Sequence, residues 1–195
     1  MPTSEIIKLK NVRLSFPRLF KPRSFRPGQE PRYEATFLLD PSDKAHAAII
    51  EAIEFTADDI AAEMWPKKLP PKLVRCYGLA GDEKPPLEYD GYPDMYFVRT
   101  AAKVNAPPLV ADRGRNTLEI VDGVEPTIPY AGCVVNASIT LWTMDNEFGN
   151  RINSNLRIVQ FVKDGERFSG IVPPDADEEL DILDDEDDGD DFLDD

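Results

Sequence analysis

Basic side chains interleaved with aromatic rings open the sequence. Residues 1–34 contain Lys8, Lys10, Arg13, Arg18, Lys21, Arg23, Arg26 and Arg32, eight bases against three acids, with Phe16, Phe20, Phe25 and Tyr33 among them. Cations spaced in this way neutralise phosphates, and an exposed aromatic face stacks an unpaired base at about 1–3 kcal/mol. Phe25 lies between Arg23 and Arg26 in a Pro-rich stretch, where a core role is hard to arrange. For Phe20 and Phe25 together, packing beneath a loop explains the rings as well as stacking does. Phe16 continues an apolar alternation and is expected in the core. A second basic set comprises Lys67, Lys68, Lys72 and Arg75, and a third Arg99, Lys103, Arg113 and Arg115. Near the third stand Tyr89, Tyr92, Tyr96 and Phe97. Tyr92, between Gly91 and Pro93, has the setting of an exposed loop ring, and Tyr96 and Phe97 are adjacent, so on a strand only one would face the core. Trp142 is a further stacking candidate that suits a core equally well. Singly, each base is an ordinary solvated charge; three sets together suit a continuous basic groove.

Other chemistries find little support. One histidine, His46, and two cysteines, Cys76 and Cys133, provide neither metal-ligand spacing nor a disulfide framework, which points to a reducing cytosol. His46 lies one helical turn before Ile50 and reads as a partly buried helix residue. Asp82, Glu83, Glu88, Asp90 and Asp94 fall in one loop without the scaffold of a two-metal nuclease. No Gly-rich loop ending in Lys-Ser or Lys-Thr is present, and no serine sits in a nucleophile motif. The expectation is a binding protein rather than an enzyme, using no metal or cofactor.

The elements that must position these residues are mostly strands. Residues 6–16 alternate around Ile7, Leu9, Val12, Leu14 and Phe16, with one extra residue near Asn11 that shifts the phase as a bulge does. Pro17, Pro22, Pro27 and Pro31 then predict a loop. Residues 32–39 resume the alternation through Tyr33, Ala35, Phe37 and Leu39. Asp40-Pro41 reads as a helix cap with proline at the first helical position, and apolar residues at helical spacing carry the helix to about Met64, ended by Pro66. Short strands are expected at residues 73–77, 95–104 and 109–112, with a loop over residues 78–93. Residues 134–143, with Val135, Ala137, Ile139, Leu141 and Thr143 on one face, turn through residues 145–150 into a returning strand at residues 156–162. About five main strands with one early helix and long loops suit a small barrel, since strands and helices do not alternate.

Charge is distributed unevenly. The chain of 195 residues carries 37 acids and 22 bases, a formal net of −15, which taken whole argues against nucleic acid. Yet residues 175–195 hold 14 acids and no base, leaving 23 acids against 22 bases in residues 1–174. The division is therefore a folded domain, 1–174, and an acidic tail, 175–195, whose self-repulsion and scarce apolar surface predict disorder. Within the tail, Asp187, Asp188, Asp190, Asp191, Phe192 and Leu193 combine charge with apolar groups that solubility does not require. Such an end suits a partner with a basic-rimmed apolar pocket, or the domain's own basic groove. No apolar run approaches the ~20 residues of a membrane-spanning helix, and no membrane partner is expected.

The run Leu9-Lys-Asn-Val-Arg-Leu-Ser-Phe-Pro-Arg-Leu-Phe20, followed by Tyr33-Glu-Ala-Thr-Phe-Leu-Leu-Asp40 and a helix, resembles a family of bacteriophage single-stranded-DNA-binding proteins with an OB-fold core and an acidic C-terminal tail. The resemblance implies a mainly β, OB-fold-like five-stranded barrel that binds single-stranded DNA in phage replication or recombination. It also implies a tail that recruits phage or host replication and recombination enzymes and restrains DNA binding, in the cytoplasm of the infected bacterium. Stacking and phosphate contacts serve RNA as well, and without the tail duplex DNA could compete. The contrasting reading is an acidic interaction protein, a DNA mimic that docks a basic host factor.

Overall fold

The computed structural model describes residues 1–81 and 89–169. Its elements in chain order are β1 (Ile7–Arg23), β2 (Arg32–Leu39), α1 (Lys44–Met64), β3 (Leu73–Arg75), β4 (Tyr77–Leu79), β5 (Tyr96–Lys103), β6 (Leu109–Ala111), β7 (Val134–Asn146) and β8 (Gly149–Lys163). Five of the eight strands close on one another. β1 pairs antiparallel with β2 and β7, β2 with β5, and β7 with β8. Parallel pairing of Ala101 in β5 with Asn155 in β8 completes the ring. The expected mainly β, OB-like architecture with one early helix is observed.

That last pairing is short, and the small strands reinforce it. The free edge of β8 is occupied in three parallel pieces: β3 at residues 150–152, β5 at Asn155, and β6 at residues 158–160. Cys76 joins β3 to β4, donating its N–H to Ile152 and accepting from the Arg99 N–H, so this segment stitches β8 to β5. Its thiol is pushed up to about 12 by burial, so little thiolate forms at neutral pH.

Alternation along each strand fills the ring. Leu9, Val12 and Leu14 of β1 meet Phe37 and Leu39 of β2 and Val135, Ile139 and Leu141 of β7 inside it, all with no exposed surface. α1 caps this interior through Ile53, Ala57, Ile60 and Ala61. The sequence places its cap at Asp40; the observed N-cap is Asp43, whose carboxylate accepts from the Ala45 and His46 N–H groups. Asp40 instead accepts from the N–H and hydroxyl of Ser42 in an Asx turn that uses Pro41 as its corner. At the other end Trp65 donates its N–H to Ala61, and Pro66, with no N–H of its own, bars a further turn.

The phase shift in β1 is a bulge between Leu9 and Val12, where Asn11 takes φ 54°. The Asn11 N–H donates to the Asn136 side chain at 3.0 Å, and its carbonyl meets His46 Nε2 at 3.0 Å. His46 Nδ1 accepts from the Asp40 N–H, which leaves the proton on Nε2 and ties helix, turn and bulge together. The loop expected from Pro17 onward is in fact the second half of β1, which runs to Arg23. Irregularities in register at residues 15–18 and 18–23 accommodate the prolines, because a bulge leaves backbone positions outside the ladder. The terminal hairpin is tighter than expected: strand pairing continues to Asn146 and Gly149, leaving Glu147 and Phe148 as a two-residue turn.

Candidate nucleic-acid interface

Paired residues on neighbouring strands project to the same face, so the registers of β1, β2 and β5 define rows across the exterior of the ring. One row is Arg23–Arg32–Lys103, the next Arg18–Glu34–Ala101, then Ser15–Thr36–Arg99, and last Arg13–Leu38–Phe97. Along β2 and β5 successive rows lie two residues apart, about 6.6 Å. Five of the basic residues selected from sequence, Arg18, Arg23, Arg32, Arg99 and Lys103, thus share one exterior strip although they come from three strands. Like charges directly opposite one another destabilise a sheet, and the first row sets three cations side by side.

Among the described residues the strip has one acid. Glu34 is half-buried, and desolvation raises its pKa, with Arg18 and Arg32 pulling it back down. At the cationic end stands Phe25, 55% exposed, with the Arg18 guanidinium 5.0 Å from its ring centroid. A largely exposed ring backed by a cation can serve as a stacking platform for a base. Substituting Phe25 by Ala is expected to weaken oligo-dT binding by about 1–3 kcal/mol and leave unfolding midpoints unchanged, as read by fluorescence titration and denaturant melts.

At the opposite end the exterior is closed by aromatic packing. Leu38, Tyr92 and Phe97 form a second buried cluster with Phe16, Tyr89 and Phe168 against it. Here two expectations are corrected. Tyr92 is 1% exposed and donates its hydroxyl to Ser15 Oγ at 3.0 Å; the turn that bonds Tyr92 N–H to Tyr89 folds the ring back over Leu38 and Phe97. Tyr96 is buried inside the ring of strands, stacked on Tyr77 with centroids 6.1 Å apart, and donates to Glu54 Oε1 at 3.3 Å. Its neighbour Phe97 is buried too, because β5 is covered on both faces here. Phe16 is half-buried in this outer cluster rather than in the ring interior, its ring centroid 5.0 Å from that of Tyr89.

Arg13 is also corrected from phosphate ligand to fastener. Its guanidinium donates to the carbonyls of Gly132 at 2.7 Å and Glu166 at 2.8 Å and lies 4.6 Å from the Phe168 centroid. Residues 164–169 are strapped to the domain by these contacts, by Tyr130 bonding to Asp164 and Gly165, and by Asp90 accepting from the N–H and hydroxyl of Ser169. Those two bonds hold the Asp90 carboxyl below its usual range. Replacing Arg13 by Ala is expected to cost about 1–3 kcal/mol of stability and raise amide exchange over residues 164–169, with the salt dependence of DNA binding unchanged.

Other candidates are dispersed. Phe20 is half-buried against the ring interior, and Lys21 pairs with Glu125 at 2.9 Å. Arg26 is exposed in the loop beside Phe25. Lys67 and Lys68 follow the end of α1 and share no sheet row with the strip. Arg113 and Arg115 occupy a turn closed by Asp112 and Asn116 next to β8, whose Gln160 donates to the Arg113 carbonyl at 3.3 Å. Trp142 lies on the exterior of β7, paired with Asn153. Of the loop carboxylates, Asp82, Glu83 and Glu88 lie outside the described residues, as do all tail positions from Asp187 to Leu193 and the boundary at 174. Sequence reasoning did not single out Phe148, 76% exposed in the β7–β8 turn. Among the described residues no group of three or more His, Cys, Asp or Glu could hold a metal, and no helix is long and apolar enough to cross a membrane.

A ring of strands carrying cations and an exposed aromatic along one exterior strip is the kind of surface on which OB-type proteins hold single strands. Comparison with known proteins makes this specific: residues 5–193 match the family described as Enterobacter phage Enc34, ssDNA-binding protein, and the chain belongs to that family. A curated relative, putative protein p50 of Acyrthosiphon pisum secondary endosymbiont phage 1, is 36% identical over 172 residues, spanning 84% of this chain and 86% of that protein. Among solved structures, the single-stranded DNA-binding protein from bacteriophage Enc34 in complex with ssDNA superposes with a TM-score of 0.71 at 29% identity, covering 83% of this chain and 88% of that one. The bacteriophage T7 single-stranded DNA binding protein gp2.5 shares the fold, with a TM-score of 0.53 at 15% identity over 92% of this chain and 94% of that one.

Proposed function

We propose that this chain binds single-stranded DNA without sequence preference along the exterior of β1, β2 and β5, in phage replication or recombination within the infected bacterial cytoplasm. The observation that carries the reading is the row Arg23–Arg32–Lys103. Three adjacent cations on neighbouring strands present a concentrated positive edge to a polyanion. Phosphates supply the anion, Phe25 supplies a base platform, and Arg18 and Arg99 extend the track along the strip. The family relative from phage Enc34, solved with ssDNA bound, supports the same class of ligand. The contacts are non-catalytic, need no cofactor and extend to RNA. Duplex DNA, whose bases are already stacked, gains only the phosphate contribution.

The acidic tail of residues 175–195 competes with DNA for these cations and offers Phe192 and Leu193 to phage or host replication proteins. The strap of residues 164–169, fastened by Arg13 and Phe168, lies at the aromatic end of the strip. The test is a salt titration of binding to labelled oligo-dT by the intact chain and by a version ending at Pro174. Binding that weakens with salt and is tighter in the shorter chain is expected. No binding by either form overturns the reading, and equal binding by both removes the tail from it.

A further inference from the structure

The exterior of β7 and β8 lies around the ring from the strip and has a composition of its own. Neither residues 133–144 nor residues 149–163 contain an acid. Register brings Trp142 opposite Asn153, Met144 opposite Arg151 and Asn136 opposite Gln160 on that exterior. A bulge between the pairs Ser138–Ile158 and Ile139–Leu156 makes Arg157 the extra residue, and it is exposed. Trp142 belongs to neither hydrophobic cluster, and its indole N–H meets no acceptor among the described residues. A hidden donor without a partner is costly, and this one lies among side-chain amides on an exposed sheet.

From these residues we infer a second nucleic-acid track on the β7–β8 exterior, continuous with the first and occupied by a further stretch of the same single strand. This rests on the reading of the β1–β2–β5 strip as a DNA interface. Continuity comes from one row: Arg18, Glu34, Ala101, Asn155 and Thr140 are successive register partners across β1, β2, β5, β8 and β7. A strand leaving the first track at Ala101 therefore meets Asn155 next, with Arg157 two residues on. Arg113, in the turn anchored on Gln160, extends the same side. Arginines engage phosphates, amides engage base edges or sugar hydroxyls, and the half-buried indole offers a stacking surface. A sheet face lacking acids, with Arg151 and Arg157 separated along it and neutral polar groups between them, matches a polyanion whose bases need partners.

The test compares the full-length chain with its R151A/R157A variant, both positions being exposed and outside the cores. An oligonucleotide of about 6 bases fills one track, whereas poly-dT reaches both, within the ~4–16 nucleotides that one OB fold covers. The variant is expected to bind the short oligonucleotide as the parent does. On poly-dT it should occlude fewer nucleotides per protein and show a log–log salt slope shallower by about 1.4, or 0.7 for each lost phosphate contact. A full-length W65F chain, in which Trp142 is the sole tryptophan, should lose indole emission with poly-dT but not with the short oligonucleotide. If the parent fails to bind the short oligonucleotide, the first track is wrong and the second loses its footing. If it binds and the variant matches it on poly-dT in both occlusion and slope, the second track alone is overturned. Emission that responds to an added peptide of residues 175–195 and not to poly-dT would assign this face to the acidic tail instead, which also overturns the proposal.

Discussion

Replacing Arg32 and Lys103 together by alanine is expected to weaken oligo-dT binding by roughly 10–100-fold at 0.1 M salt, with a salt slope shallower by about 1.4. Their register pairing places them side by side, with Arg23 on the far side of Arg32. Each contributes a charge-assisted contact worth about 1.5–3 kcal/mol when fully formed, discounted here because both side chains stay solvated. The opposite sign is expected for the unbound protein. Removing Arg32 and Lys103 relieves the repulsion between these directly opposed charges, about 0.2–1 kcal/mol, so the melting temperature should hold or rise slightly. Loss of binding with no loss of stability separates a ligand role from a structural one. Equal affinity and slope in parent and variant, measured by fluorescence anisotropy across a salt series, would mean that phosphates do not cross this row.

Tyr92 to Ala is expected to cost about 3–5 kcal/mol of folding stability, the range for deleting a buried aromatic ring. The ring is covered by Phe16, Tyr89 and Phe97, and its hydroxyl is bonded to Ser15. Tyr92 to Phe keeps the ring and loses only that bond, about 0.5–1.5 kcal/mol. Urea denaturation of the two variants should therefore separate them widely, and folded Tyr92→Phe protein should bind oligo-dT as the parent does. A stable Tyr92→Ala protein that had lost DNA affinity would return the ring to the list of stacking residues.

The contrast between Tyr92 and Phe25 shows what the sequence could and could not reveal. Both stand in Pro- and Gly-punctuated loops, and both look exposed from their neighbours alone. One loop extends past the sheet, leaving Phe25 with Arg18 for company. The other turns back over Leu38 and Phe97, which sit on the exterior of strands whose alternation predicts solvent there. Local spacing carries no information about which exterior segment a returning loop will cover. Tyr96 and Phe97 fail for the same reason, since the rule that one of two adjacent strand residues is exposed assumes a sheet with one free face.

Much of the frame was legible. The inward set of β7, Val135 through Thr143, is buried at every alternate position, because a 13-residue strand with period-two apolar residues has no other way to hide them. The bulge at Asn11 followed from a broken alternation, and the helix from its isoleucines. The cap was misplaced because Asp40 and Asp43 both suit it and only backbone geometry decides between an Asx turn and a first helical turn. The gathering of Arg18, Arg32, Arg99 and Lys103 onto one face could be anticipated only as a consistency among three basic sets. It depends on strand register, which bulges in β1 reset twice. Arg13 shares the charge of its neighbours, but its fate was settled by a strap 153 residues away in sequence.

The central claim is where the strand lies, and hydrogen exchange with and without saturating oligo-dT reads that directly. Protection is predicted over the segments that carry Arg18, Phe25, Arg32, Arg99 and Lys103, with the exposed side of α1 around Phe55 unchanged. Protection confined to α1, or absent from β1, β2 and β5 under conditions where DNA is bound, would contradict the interface described.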